Sequence, residues 1–290
     1  MEPFAPKLIL VPTDFSEPAA HALRYASSLA ERFGAHLLVI HADLFVPVVD
    51  YTAMPAELFW NVQESMVENA REALQSHAEE NIGAGVPFDL QVIVGGTLEA
   101  IAAQIRTSGA NLVVMGTHGR TGVSRLLFGS VTESVMRTCT VPVIAVTHGA
   151  PESAHVEKVL CPVSFTETGR EALRRAAALV DSRRAPLVLV QSMDDDPLRV
   201  QQWVPRELAD RCEMRRRSAG DAGELVNLAA TAGADLIALG VEPDRTVHET
   251  LTGTFAERIV QQSRCAVLTV NAHVVGVGTE SASFATTSVR

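Results

Sequence analysis

Short unbroken runs of aliphatic residues recur along the chain, each followed by a stretch whose apolar positions fall at helical spacing. Ile9-Leu10-Val11, Leu37-Leu38-Val39-Ile40 and Leu112-Val113-Val114 stand in the first half. Val159-Leu160, Leu187-Val188-Leu189-Val190 and Leu236-Ile237-Ala238-Leu239 stand in the second. Strands that do not alternate apolar with polar residues are buried on both faces. The pattern therefore predicts parallel sheets covered by helices on either side. The first helix shows the punctuation clearly. Ser16 is placed to cap it and Pro18 falls in its first turn. Leu23, Ala26, Ala30 and Phe33 make one apolar stripe, and Gly34 is suited to a left-handed end.

The runs belong to an internal repeat. Ile9-Leu10-Val11-Pro12-Thr13-Asp14-Phe15-Ser16 is echoed by Val159-Leu160-Cys161-Pro162-Val163-Ser164-Phe165-Thr166. Ala110-Asn111-Leu112-Val113-Val114-Met115-Gly116 is echoed by Ala234-Asp235-Leu236-Ile237-Ala238-Leu239-Gly240. The second copy is shorter. The first carries a loop with Pro47 and Pro55 and an amphipathic helix near Leu58 to Glu80, whereas the second has the acidic turn Asp194-Asp195-Asp196-Pro197 and a brief segment around Trp203. The expected organisation is a first domain over 1–147, a linker over 148–157, a second domain over 158–271 and a Gly-, Ser- and Thr-rich tail over 272–290. The fold class is α/β, with two doubly wound domains of five parallel strands each.

The chain has 290 residues, 47% hydrophobic and 20% charged, with a mean hydropathy of +0.16, which indicates ordinary globular cores. Its net charge of −10 disfavours nucleic acid and anionic lipid as partners and leaves anions only local cationic pockets. The opening residues lack the basic-then-apolar pattern of a signal peptide, and no apolar run approaches the ~20 residues of a membrane helix. Cys139, Cys161, Cys212 and Cys265 form no Cys-x-x-Cys pair, so small buried hydrophobe is their expected role and the cytoplasm their expected setting.

The most informative stretch runs from Met115 to Ser130, Met-Gly-Thr-His-Gly-Arg-Thr-Gly-Val-Ser-Arg-Leu-Leu-Phe-Gly-Ser, leaving a buried strand and entering a helix. Gly116 and Gly119 would let the backbone approach a ligand, and amides in such a turn can form an anion nest. Gly129 and Ser130 sit where a helix N-terminus favours phosphate. Arg120 and Arg125 are the charged side chains of the loop and candidates for phosphate contact.

Gly116-x2-Gly119-x9-Gly129-Ser130, Val11-Pro12-Thr13-Asp14-Phe15-Ser16 and the final strand Val141-Pro142-Val143-Ile144-Ala145-Val146 together resemble the ATP-binding universal stress proteins. The likeness covers both repeats. It implies a Rossmann-like strand order of 3-2-1-4-5 in each domain, and ATP, with Mg2+, as the cofactor of the first. By this resemblance Pro12, Thr13, Asp14 and Phe15 meet the adenosine end and Ala42 flanks the base. Met115, Gly116, His118, Gly119, Gly129, Ser130 and Val131 line the ribose and phosphates. The resemblance also implies that the last strands pair within the chain as a pseudo-dimer, with a homodimer compatible and stress-response proteins as downstream partners.

Other readings stand beside this one. Asp14 also suits a helix cap or turn, and His118 a ribose contact. His41 and His77 show no metal-ligand spacing and read as packing or surface residues. Lys7 and Lys158, the only lysines, follow no Gly-x4-Gly, which excludes a P-loop; Pro12-Thr13-Asp14 stands where a dinucleotide enzyme would carry its glycines. A nucleotide-binding regulator is favoured over a slow ATP hydrolase, because no water-positioning residue is evident, and over an interaction module that binds no nucleotide. The second loop carries Pro243 in place of the middle glycine together with Glu242, Asp244 and Glu249, and Ser164 replaces Asp14. One nucleotide per chain, held by the first half, is the expectation.

Overall fold

The computed structural model describes residues 4–44, 56–117, 129–182, 185–217, 221–242 and 254–276. His118, Gly119, Arg120 and Arg125, positions 243–253, the loop prolines Pro47 and Pro55, and the tail from 277 onward lie outside the described residues. The first half runs β1 (Leu8–Pro12), α1 (Glu17–Phe33), β2 (His36–Asp43), α2 (Ala56–Asn81), β3 (Phe88–Val94), α3 (Thr97–Ser108), β4 (Leu112–Gly116), α4 (Ser130–Thr138) and β5 (Val143–Val146). The second runs β6 (Val159–Pro162), α5 (Glu167–Leu179), β7 (Leu187–Ser192), α6 (Pro197–Trp203), β8 (Cys212–Arg217), α7 (Ala222–Ala232), β9 (Leu236–Val241), α8 (Phe255–Gln262) and β10 (Ala266–Asn271).

These strands make one sheet in the order β3-β2-β1-β4-β5-β10-β9-β6-β7-β8. Each half is parallel within itself and has the expected 3-2-1-4-5 order, with right-handed crossovers the rule for such connections. The halves meet edge to edge, where β5 and β10 pair antiparallel as Val143↔Thr269, Ile144↔Leu268 and Ala145↔Val267. Leu268 is the repeat equivalent of Ile144, so a pseudo-two-fold axis passes through that pair, as in an isologous dimer.

Alternation along the buried strands sorts the core into two layers, each continuous through both halves. Ile9, Val11, Val39, Ile144, Leu189 and Leu268 face α1, α2, α5 and α6. Leu10, Ile40, Val113, Ala145, Val190 and Val267 face α3, α4, α7 and α8. α1 has the expected ends. The Ser16 side chain accepts from the Ala19 amide, and Gly34 is left-handed at φ 63° with its N–H donating to the Ala30 carbonyl. All four cysteines are free. Burial pushes the Cys139, Cys212 and Cys265 thiols up to about 11, so they stay protonated and unreactive at neutral pH.

Residues between β5 and β6 are packed rather than loose. Ala150, Ala154 and Val156 are buried, and the Ala154 amide donates to Ser28 Oγ at 3.1 Å. Arg32, near the end of α1, donates to the carbonyls of Ala154 and Leu179 and pairs with Asp181, clasping the second half. At the junction itself Thr147 Oγ1 donates to the Cys265 carbonyl at 3.2 Å. Asn271, its repeat equivalent, is buried and donates from Nδ2 to the Met136 and Cys139 carbonyls, both at 2.9 Å. Those carbonyls terminate α4 and would otherwise have no intrahelical partner. Replacing Asn271 with Ala should therefore cost about 1–3 kcal/mol, the penalty of stranding buried polar groups. Chemical denaturation reads this as a lower midpoint at unchanged slope. An unshifted midpoint would show that the bonds to α4 contribute nothing net.

Candidate functional site

A cavity of about 370 Å³ opens at the carboxyl ends of the first-half strands. β1 lies between β2 and β4, so the winding of the sheet reverses there. Loops that diverge from such a point leave a crevice, the usual place for a ligand in open α/β sheets. Its walls come from the ends of β1 (Pro12, Thr13, Asp14), β2 (Ala42, Asp43) and β4 (Met115, Gly116), and from the start of α4 (Gly129, Ser130, Val131).

The turn after β1 is built from two consecutive side-chain-to-backbone bonds. Thr13 Oγ1 accepts from the Phe15 amide at 3.1 Å, and Asp14 Oδ1 accepts from the Ser16 amide at 3.1 Å and from the Ser16 hydroxyl. They hold Phe15 at φ 63°, a left-handed conformation in which a bulky residue is strained. The Phe15 ring packs 4.3 Å from the His41 ring and edge-on to His77 at 5.6 Å. His41 Nδ1 donates to the Thr13 carbonyl at 2.8 Å, and His77 Nε2 lies 3.0 Å from Thr13 Oγ1. Burial lowers the His77 pKa below the ordinary histidine value, so its imidazole is neutral at pH 7. Two histidines and one aromatic ring thus brace the floor of the cavity.

Across the cavity, α4 begins without a side-chain cap: Gly129 stands at its N-cap and offers none. Its first-turn amides and dipole therefore face the opening as a ready anion site. The Gly129 amide donates to the Thr117 carbonyl at 2.9 Å, and Thr132 Oγ1 donates to the Gly116 carbonyl at 2.8 Å. The two ends of the glycine loop are thereby tied together. Gly116 has a packing reason to be glycine, since a Cβ there would stand 2.6 Å from the Pro18 carbonyl oxygen of α1. Close approach of β4 to the first turn of α1 excludes a side chain before any ligand is considered.

Of the residues singled out from sequence, Pro12, Thr13, Asp14, Ala42, Met115, Gly116, Gly129, Ser130 and Val131 line this one cavity. Phe15 lies beneath it against the core. The cavity also draws on His41, Asp43 and Thr97, which pattern reading left out. Gly95-Gly96-Thr97 at the end of β3 was a usable signal, because every parallel strand of such a sheet delivers its C-terminal loop to the same rim. Thr97 Oγ1 donates to the Ala42 carbonyl at 3.3 Å, closing the rim between β2 and α3. Among the described residues no cluster of three or more His, Cys, Asp or Glu could hold a metal ion. No described helix is long and apolar enough to cross a membrane.

The universal stress protein family profile matches residues 6–147. A universal stress protein of Methanocaldococcus jannaschii is 33% identical over 141 residues, 48% of this chain and 81% of that one. One from Mycolicibacterium smegmatis is 28% identical over 222 residues, covering 73% of this chain and 74% of its own. The crystal structure of a universal stress protein from Archaeoglobus fulgidus superposes with a TM-score of 0.67 at 17% identity, covering 92% of this chain and 99% of that one. That last likeness extends the fold across both repeats. The chain belongs to the universal stress protein family, as a member in which the family's α/β unit occurs twice.

Proposed function

We propose that the first half binds ATP, with Mg2+, in the cavity at the ends of β1 and β4, and that the loaded chain acts as a stress-response regulator. The observation that carries this reading is the uncapped N-terminus of α4 opening onto a cavity of about 370 Å³, a volume within the usual small-molecule range of roughly 300–1,000 Å³. The triphosphate lies along Gly116, Gly129, Ser130 and Val131, with His118, Gly119, Arg120 and Arg125 supplying the loop over it. Pro12, Thr13, Asp14, Ala42 and Met115 enclose the adenosine. Phe15 stands beside them at the adenosine end, in the strained conformation that the Thr13 and Asp14 bonds impose. The readout is association, between chains as a homodimer or with a downstream protein, in the cytoplasm.

Gly129→Glu tests the placement. Gly129 sits at φ −68°, ψ 128°, torsions open to any residue, so the fold should persist. The added carboxylate would oppose phosphate at ~4 Å with a repulsion of about 1–4 kcal/mol. Titration calorimetry with ATP and magnesium should show affinity at least about fivefold weaker, with circular dichroism unchanged. Equal affinity in the variant would mean that the phosphates lie elsewhere.

Regulation without turnover is the second expectation. Of the two aspartates in the wall, Asp14 is already engaged by Ser16 and Asp43 accepts from the Leu44 amide, and a hydrolase needs a group to orient water. Phosphate release should be far below the median enzyme rate of about 10 per second. A rate near that median, lost in Ser130→Ala, would make the chain an ATPase.

A further inference from the structure

The second half keeps the backbone geometry of the first around its cleft but not the side chains. Phe165 repeats the left-handed strain of Phe15, at φ 57°, and the Val163 amide donates to the Val190 carbonyl at 2.8 Å as the Thr13 amide donates to Ile40 at 2.9 Å. A Cβ on Gly240 would stand 2.4 Å from the Gly169 amide nitrogen, the counterpart of the Gly116–Pro18 approach. The backbone of a ligand crevice is therefore conserved between the halves.

Its side chains are not. Ala42 pairs with Ile93 across β2 and β3, and the matching pair across β7 and β8 is Ser192 with Arg217. Val131 is the second residue of α4, and its repeat equivalent Phe255 opens α8. In the first half Ile93 and Val131 are modest aliphatics against the core, and Val131 lines the cavity. In the second, the Arg217 guanidinium lies over the Phe255 ring at 5.3 Å, within cation–π range. Its Nε and Nη1 are buried from solvent. On the opposite wall Thr168 Oγ1 donates to Glu242, which stands at the end of β9 where the first half carries His118. Ser164, in the place of Asp14, lies 2.9 Å from Thr166 Oγ1, which lies 3.0 Å from Thr168 Oγ1. A chain of the protein's own polar groups thus runs along the wall.

We infer that the second cleft is occupied by the protein itself, with Arg217 stacked on Phe255 filling the ligand position and Glu242 bonded across the mouth, so that each chain holds one nucleotide, in the first half alone. The aromatic platform stands where the first half has Val131 in its cavity wall, and the cation reaches it from the strand position of Ile93. Glu242 presents a carboxylate where a triphosphate would need a donor. This inference rests on the ATP reading of the first half.

Equilibrium dialysis of the full chain against saturating radiolabelled ATP with magnesium separates the two. One nucleotide per chain is expected, reached in Gly129→Glu only at higher ATP concentration, and one still in Arg217→Ala, whose thermal midpoint should fall because the stacked plug is lost. Two nucleotides per chain, or one bound by Gly129→Glu with unchanged affinity, would place ATP in the second cleft and overturn the inference while leaving ATP binding intact. A lower count in Arg217→Ala with the folded spectrum preserved would make Arg217 a ligand contact and overturn it likewise. No bound nucleotide in the unmodified chain would overturn the ATP reading and this inference together.

Discussion

The antiparallel seam between β5 and β10 is the constraint on which the rest of this molecule depends. A five-stranded doubly wound sheet ending in Val143–Val146 would leave an apolar edge of unpaired amides and carbonyls, a template for aggregation. The chain answers by carrying a second copy of the same unit whose last strand is the complement of the first. Because the two edges are repeats of each other, the solution has near two-fold symmetry, with Thr147 reaching across to the Cys265 carbonyl just before β10 and Asn271 to the carbonyls at the end of α4. Both hydrophobic layers then run through the seam without interruption. Neither half has a core that closes on its own at that edge.

Symmetry at the seam freed the outer parts to diverge. The first half keeps small residues around its crevice and an uncapped helix start. The second caps α8 with a full capping box, Thr254 and Glu257 exchanging bonds between side chains and backbone amides. One half thus leaves the start of its last helix without a side-chain cap, whereas the other satisfies it internally. α1 links the two domains of behaviour: its first residues follow the Asp14 turn, and Arg32 near its last turn is clasped by Leu179 and Asp181 of the second half.

Much of this was legible in the residues because the signals were redundant. Unbroken aliphatic runs, a repeated Pro-x-x-Phe turn and a glycine loop before a helix each pointed to the same sheet. The strand order followed once the family likeness was in hand. What the sequence concealed were contacts between elements distant along it. Phe15, given to the adenosine end by resemblance, is also a strained residue held by Thr13 and packed on His41 and His77, which no local spacing would have brought together. Gly116 looked like a concession to a ligand, and it answers first to the Pro18 backbone. Arg217 drew no attention in the sequence; the register of β8 against β7 and a ring contact with Phe255 place it in the second cleft.

The seam also sets a schedule. Val143 finds its partner in Thr269, which lies 126 residues further along the chain. At synthesis rates of about 5–20 residues per second, the first half leaves the ribosome on the order of ten seconds before the strand that seals it exists. During that interval every nascent copy presents an unsealed β5, and on a polysome its nearest neighbours present the same strand. A sequence in which the two units stand in one reading frame removes the search for a partner after release. It also makes the speed of translating the second unit a determinant of how often the first is captured by the wrong one.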